Sequence, residues 1–206
     1  LRFNTHGSDN SAIGANTLFY NTTGYSNVAV GSNALFNNTT SNNNVAVGDS
    51  ALYNHNGQYG GNTAIGSKAL YNNLNGYYNT ANGNFALQYN YAGSSNTASG
   101  YASLVRNTNG SENTAFGASA LAFNIYGSFN SAIGYGADVN ADSYSNSTAM
   151  GSYSLITASN QVRIGDASVL SIGGYKAWTN LSDGRVKKNI KQNVPGLAFI
   201  NLLKPI

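Results

Sequence analysis

An all-β fold, a parallel β-roll (solenoid) of about nine coils, is predicted by three features of the sequence. These are a repeat of about 17 residues, strict residue typing within it, and a composition that disfavours helix. The repeat comes first, because self-similarity at a fixed period decides the architecture. The unit Asn-x-Ala-x-Gly starts at Asn10, Asn27, Asn44, Asn62, Asn79, Asn96, Asn113 and Asn130, with Ser147 in the Asn position of a ninth copy. Successive spacings are 17, 17, 18, 17, 17, 17, 17 and 17, the extra residue falling at the Gly60-Gly61 turn. The third position is Ala and the fifth is Gly in all nine copies. The ninth position is Leu in eight (Leu18, Leu35, Leu52, Leu70, Leu87, Leu104, Leu121 and Leu155), with Asp138 the exception. A Gly near position 15 closes most units, as at Gly24, Gly76, Gly93, Gly110 and Gly127.

Each unit reads as one coil of two brief strands. Side chains alternate across a strand, so positions 1, 3 and 5 share one face and positions 2 and 4 the other. The first face never holds anything larger than Asn, which predicts a close approach there. Position 4 is usually large and apolar, as in Ile13, Val30, Val47, Ile65, Phe116, Ile133 and Met150. Gly at position 5 releases the chain into a turn, and the Leu is expected on a second short strand. Coils stacked at about 4.8 Å per step make a rod about 40 Å long. The recurring Asn at position 1 is expected to form a side-chain ladder along the rod. One such coil is thin, with both strand faces apolar or tightly packed. A strand with two faces to cover needs neighbours, which predicts a homo-oligomer of cyclic symmetry.

Composition narrows the functional classes. Only 8% of residues are charged, while the chain holds 24 Gly and 15 Tyr, with Asn, Ser and Thr dominating the polar positions. Asn, Ser, Thr and Gly weaken helix interiors by side-chain competition or backbone freedom. The net charge of +3 divides unevenly. Residues 1–175 carry four Lys/Arg against six acids, and residues 176–206 carry six Lys/Arg against Asp183. Nucleic-acid binding along the roll would need a recurring basic stripe, which the repeats lack. Cysteine is absent, so disulfides and thiolate metal sites are excluded. No apolar run reaches the ~18–20 residues that span a bilayer, so this segment is not expected to insert in a membrane. No cofactor is expected. Leu1 and Ile206 both fall in mid-pattern, which predicts a piece of a longer chain.

The Asn-x-Ala-Ile/Val-Gly repeats over residues 10–151 resemble the head repeats of YadA-like trimeric autotransporter adhesins. The resemblance implies a left-handed parallel β-roll, homotrimeric and extracellular, with an adhesive function. Asn160-Gln161-Val162-Arg163-Ile164-Gly165 looks like the end of such a head. The segment from Ser182-Asp183-Gly184-Arg185-Val186-Lys187-Lys188-Asn189-Ile190 through Val194-Pro195 to Pro205 resembles a self-cleaving intramolecular chaperone. That domain closes endosialidase tailspikes and many tail fibres. The expected organisation is a head-repeat roll over 1–159, a neck over 160–181, and the first part of the chaperone domain over 182–206. By this resemblance Ser182 attacks the Leu181–Ser182 bond and Lys187 takes its proton, a Ser-Lys pair. A Lys serves as base when desolvation and cationic neighbours lower its pKa, and Arg185 and Lys188 flank it in sequence. Phage tail fibres and bacterial surface proteins both combine these parts.

The partners expected are further copies of the chain and a cell-surface glycan or protein receptor. Rigid strands carrying variable turns place recognition on the turns, around Tyr59, Tyr77-Tyr78, Tyr91 and Tyr126. The Tyr and Phe at positions 10, 11 and 16 are expected to pack more than to bind. The alternative function is a polysaccharide-degrading tailspike, which needs two carboxylates ~5–9.5 Å apart. Of Asp9, Asp49, Glu112, Asp138, Asp142 and Asp166, only Asp138 and Asp142 are close in sequence. Calcium solenoids need recurring Asp, and ice binding a flat Thr ladder; neither recurs here. His6 and His55 stand isolated and are expected to be solvated.

Overall fold

A computed structural model describes residues 1–173, and the self-cleavage pair Ser182/Lys187 lies outside them. The described residues form a parallel β-solenoid of about nine turns and contain no helix. Its strands are three residues long: β1 (Ser11–Ile13), β2 (Val28–Val30), β3 (Val45–Val47), β4 (Thr63–Ile65), β5 (Thr80–Asn82), β6 (Thr97–Ser99), β7 (Thr114–Phe116) and β8 (Ser131–Ile133). After the two-residue β9 (Asp138–Val139) come β10 (Thr148–Met150), β11 (Leu155–Ile156) and β12 (Val162–Ile164). The main sheet has ten strands in the order β1 to β8, β10, β12, and β9 pairs with β11 alone. Every pairing is parallel, with each repeat Ala opposite the Ala of the next coil until Arg163 faces Ala149. Arg163 thus ends the Ala column with a charge, its guanidinium donating to Thr157 Oγ1 at 2.8 Å. A charged last rung blunts an open sheet end.

The small face points into the coil itself. Ala29, Ala46, Ala64, Ala81, Ala98, Ala115, Ala132 and Ala149 are fully buried beside the repeat leucines. The fifth-position glycines keep the coils close. They adopt φ of 112–142°, and a Cβ on Gly14 through Gly134 would stand 2.5–2.8 Å from the next glycine's carbonyl. No L-residue meets both demands.

The leucines differ from expectation. Positions 8 and 9 both point inward, as in Ala34-Leu35 and Ala86-Leu87, all fully buried. Consecutive inward residues break strand alternation, so the chain kinks: Leu18 through Leu121 sit at φ 46–51°. Leu therefore occupies a left-handed turn and not a second strand. A left-handed L-residue costs roughly 1–2 kcal/mol, which burial of a whole Leu, about 1.5–3 kcal/mol, offsets. Alternation returns only at the end of the roll. There Asp138 and Leu155 lack the kink, and Val139 and Ile156 fill the core from position 10. Leu155 is exposed, so its match to the repeat was misleading.

Two asparagine ladders run the length of the roll. The expected one, at position 1, has each backbone N–H donating to Oδ1 of the preceding coil's Asn, as Asn27 to Asn10 at 3.0 Å and Asn96 to Asn79 at 3.0 Å. The second, unforeseen, is position 12: Asn21, Asn38, Asn73, Asn90, Asn107 and Asn124, all fully buried. Each Nδ2 of Asn38, Asn90, Asn107 and Asn124 donates to the preceding Oδ1, at 2.6–3.1 Å. Both ladders also hold the position-15 carbonyl, as Asn79 and Asn90 donate to Gly93 O at 2.9 and 2.7 Å. A Cβ on Gly93 would lie 2.5 Å from Asn90 Oδ1, which explains that glycine.

His55 stands in the second ladder where the pattern asks for Asn, and it is fully buried, contrary to the expectation of a solvated ring. Its Nδ1–H donates to Asn73 O at 2.9 Å, and its Nε2 accepts from Ser41 Oγ at 2.9 Å, the bonding of a neutral imidazole. The ring offers nothing to Asn38, whose Oδ1 is left without a partner. Burial also pushes the imidazole below its ordinary 6.5. The unfolded chain then takes up a proton that the fold refuses, so stability is full above about pH 6.5 and falls as pH drops through it. Replacing His55 by Asn restores a donor to Asn38 Oδ1. Chemical denaturation should show His55→Asn more stable by about 1 kcal/mol at pH 7.5, with the margin widening at pH 5. A variant less stable at both pH values would contradict this account of the ladder.

Candidate functional site

The turns named from sequence all lie on the surface, but they do not form one patch. Tyr59, Tyr77 and Tyr78 cluster, with ring centroids 5.6 Å apart for Tyr59–Tyr77 and 5.3 Å for Tyr77–Tyr78, both edge-to-face. Tyr78 also covers Gly61, where a Cβ would meet its ring at 2.6 Å. Tyr91 and Tyr126 are exposed and stack on no aromatic ring among the described residues. Their backbones are fixed, Tyr91 N–H to Thr108 O at 2.9 Å and Tyr126 N–H to Asp142 O at 2.8 Å. Position-10 rings serve packing: Phe19, Phe36, Tyr53 and Tyr71 stack along the roll at 5.0–5.1 Å, half-buried.

Sequence reasoning missed a groove of about 900 Å3 at the last coils. It opens where the repeat departs from its own pattern. Asp138 stands at the Leu position, Gly136 lies at position 7, and Ala141 takes the place of the ladder Asn. Small Ser119 and Ala122 form part of the wall. Tyr135 and Tyr153 meet edge-to-face at 5.2 Å, and Arg106 lies over the Phe123 ring at 5.2 Å. The irregular ninth position was the available signal.

Asp138 is largely buried, and burial pushes its carboxyl up to about 6 against the opposing pull of three backbone amides. Val139 N–H donates to Oδ1 at 2.8 Å, Phe123 N–H reaches both oxygens at 3.2 Å, and Ala122 contributes the third. Because the folded value lies above the unfolded 3.8, Asp138 stabilises most below pH 3.8 and loses that contribution as pH rises to about 6. This trend opposes that of His55. Asp142, the other carboxylate near in sequence, acts through its backbone carbonyl, which accepts from Ile125, Tyr126 and Gly127 at 3.1, 2.8 and 3.2 Å. Among the described residues no cluster of His, Asp or Glu is arranged to hold a metal ion. No protein-family model matches the chain, and no curated protein matches it.

Proposed function

We propose that the chain is a structural and adhesive segment of an extracellular homotrimeric fibre that attaches to a cell-surface glycan or receptor. The observation that carries this reading is the outward face of the ten-stranded sheet. Position 4 places Ile13, Ile65, Phe116, Ile133 and Met150 there, each 42–66% exposed, with Val28 beside them. Aligned apolar side chains of this size mark an interaction surface. The inner core offers only Ala and one larger residue per coil, so lateral association supplies burial that a single roll lacks. Closed cyclic symmetry with three copies follows from the resemblance of the repeats to trimeric adhesin heads, as do the left-handed coil and the fibre setting. The sparse charge supports attachment over turnover.

Attachment is tested by binding labelled protein to glycan arrays and intact cells. Tyr77→Ala/Tyr91→Ala should reduce binding at least several-fold while leaving the melting temperature within a few degrees. Unchanged binding by this folded variant moves recognition off these turns. The alternative, a polysaccharide-degrading tailspike, has one supporting feature, the raised Asp138 carboxyl in a groove. Released oligosaccharide on incubation with polysaccharides would favour it. Self-cleavage at Leu181–Ser182 is tested by mass spectrometry of the chain with its complete C-terminal domain. A cut abolished by Ser182→Ala is expected, and a cut that survives it removes Ser182 from that role.

A further inference from the structure

We propose that the groove formed by Phe123, Tyr135, Asp138 and Tyr153 is a carbohydrate site that takes a run of neutral hexopyranose rings. This deepens the adhesive reading above and rests on it. The groove's volume of about 900 Å3 falls within the ~300–1,000 Å3 of small-molecule sites. Such sites combine apolar walls with a few convergent polar groups, and this one does. Tyr135, Tyr153 and Phe123 are each more than half exposed, although aromatic rings ordinarily bury their faces. A pyranose ring presents an apolar C–H face to such rings and a rim of hydroxyls that both donate and accept.

The polar groups match that rim. The Asp138 carboxylate, an acceptor for a ligand hydroxyl, lines the groove and is addressed by three backbone amides. Those amides also fix the carboxyl in place, so the site is formed before a ligand arrives. Arg106 supplies planar N–H donors, positioned by its stacking on Phe123. Charge selects against acidic sugars, because the lining holds Asp138 and Asp142 against Arg106 alone. A second copy of the chain is served by another surface, since no position-2 or position-4 side chain lines the groove.

The test is calorimetric titration of the full chain with maltohexaose, cellohexaose and mannohexaose, and with oligogalacturonate as the acidic contrast. At least one neutral hexaose should bind with a Kd in the millimolar range or tighter. Tyr135→Ala/Tyr153→Ala should weaken it at least tenfold at unchanged sedimentation and melting. Failure of all three neutral probes, tighter binding of oligogalacturonate, or binding that survives the double variant would overturn the assignment. Cell attachment that persists through any of these outcomes would leave the adhesive reading standing without the groove. Loss of attachment by the intact protein would remove the reading itself.

Discussion

Gly100→Ala, just after β6, should strongly destabilise the roll. The new Cβ would lie 2.5 Å from Gly117 O and 2.6 Å from Gly117 C, and the backbone there holds φ 135°. Two separate costs act together. Backbone strain in a region reserved for glycine is about 1–3 kcal/mol, and overpacking against a rigid neighbour is about 1–3 kcal/mol. The struck atoms are backbone, so no side chain can rotate away. Thermal unfolding should fall by at least 5 °C. Ala102→Gly is the matched contrast, because Ala102 lies two residues later in the same turn at φ 53°. It should be neutral or mildly stabilising, since glycine adopts that conformation without penalty. Equal melting of Gly100→Ala and the parent would mean that the coils do not approach as closely as their carbonyl contacts require.

Phe116→Asp/Ile133→Asp should prevent the proposed oligomer from forming without disturbing the inner core. Both side chains point away from the Ala column, and both are about half exposed in the single chain. Burying the exposed half of such a side chain between subunits contributes about 1 kcal/mol, and the change is repeated in every copy. An unpaired carboxylate in the interface adds a desolvation cost of its own. The expected result is loss of the assembled species at micromolar concentration. Substitution at Asn82 and Ser99, which interrupt the apolar column midway, should have little effect. Full assembly by the double variant would place the interface elsewhere on the roll.

The coil and its strand face were legible because the same side chain returns every 17 residues. Ala81 and Ala98 had to be small, and the structure gives the reason, an interior only one Leu wide. Asn at position 1 was legible as a ladder for the same reason. The left-handed Leu was harder to see, although Ala and Leu at adjacent inward positions contradict a strand. The Leu repeat drew attention from that pairing. The second Asn ladder was equally periodic but lay among many other Asn residues, where composition masks position. His55 hid within it, since an isolated histidine in a polar turn carries no sign of burial. The groove is a failure of the repeat at Asp138, Gly136 and Ala141, and repeat-based reading describes what recurs. The proposed cover of the outer face rests on exposed apolar area, and its number of subunits on the resemblance of the repeats to trimeric heads.

Counting them is the direct test of the central claim. Sedimentation equilibrium of the full chain, at several concentrations and neutral pH, measures mass independently of shape. The account predicts a single species of three times the 21.5 kDa chain, with unfolding that is concentration-dependent because folding and association are coupled. A stable, folded species at 21.5 kDa across the concentration range would contradict it.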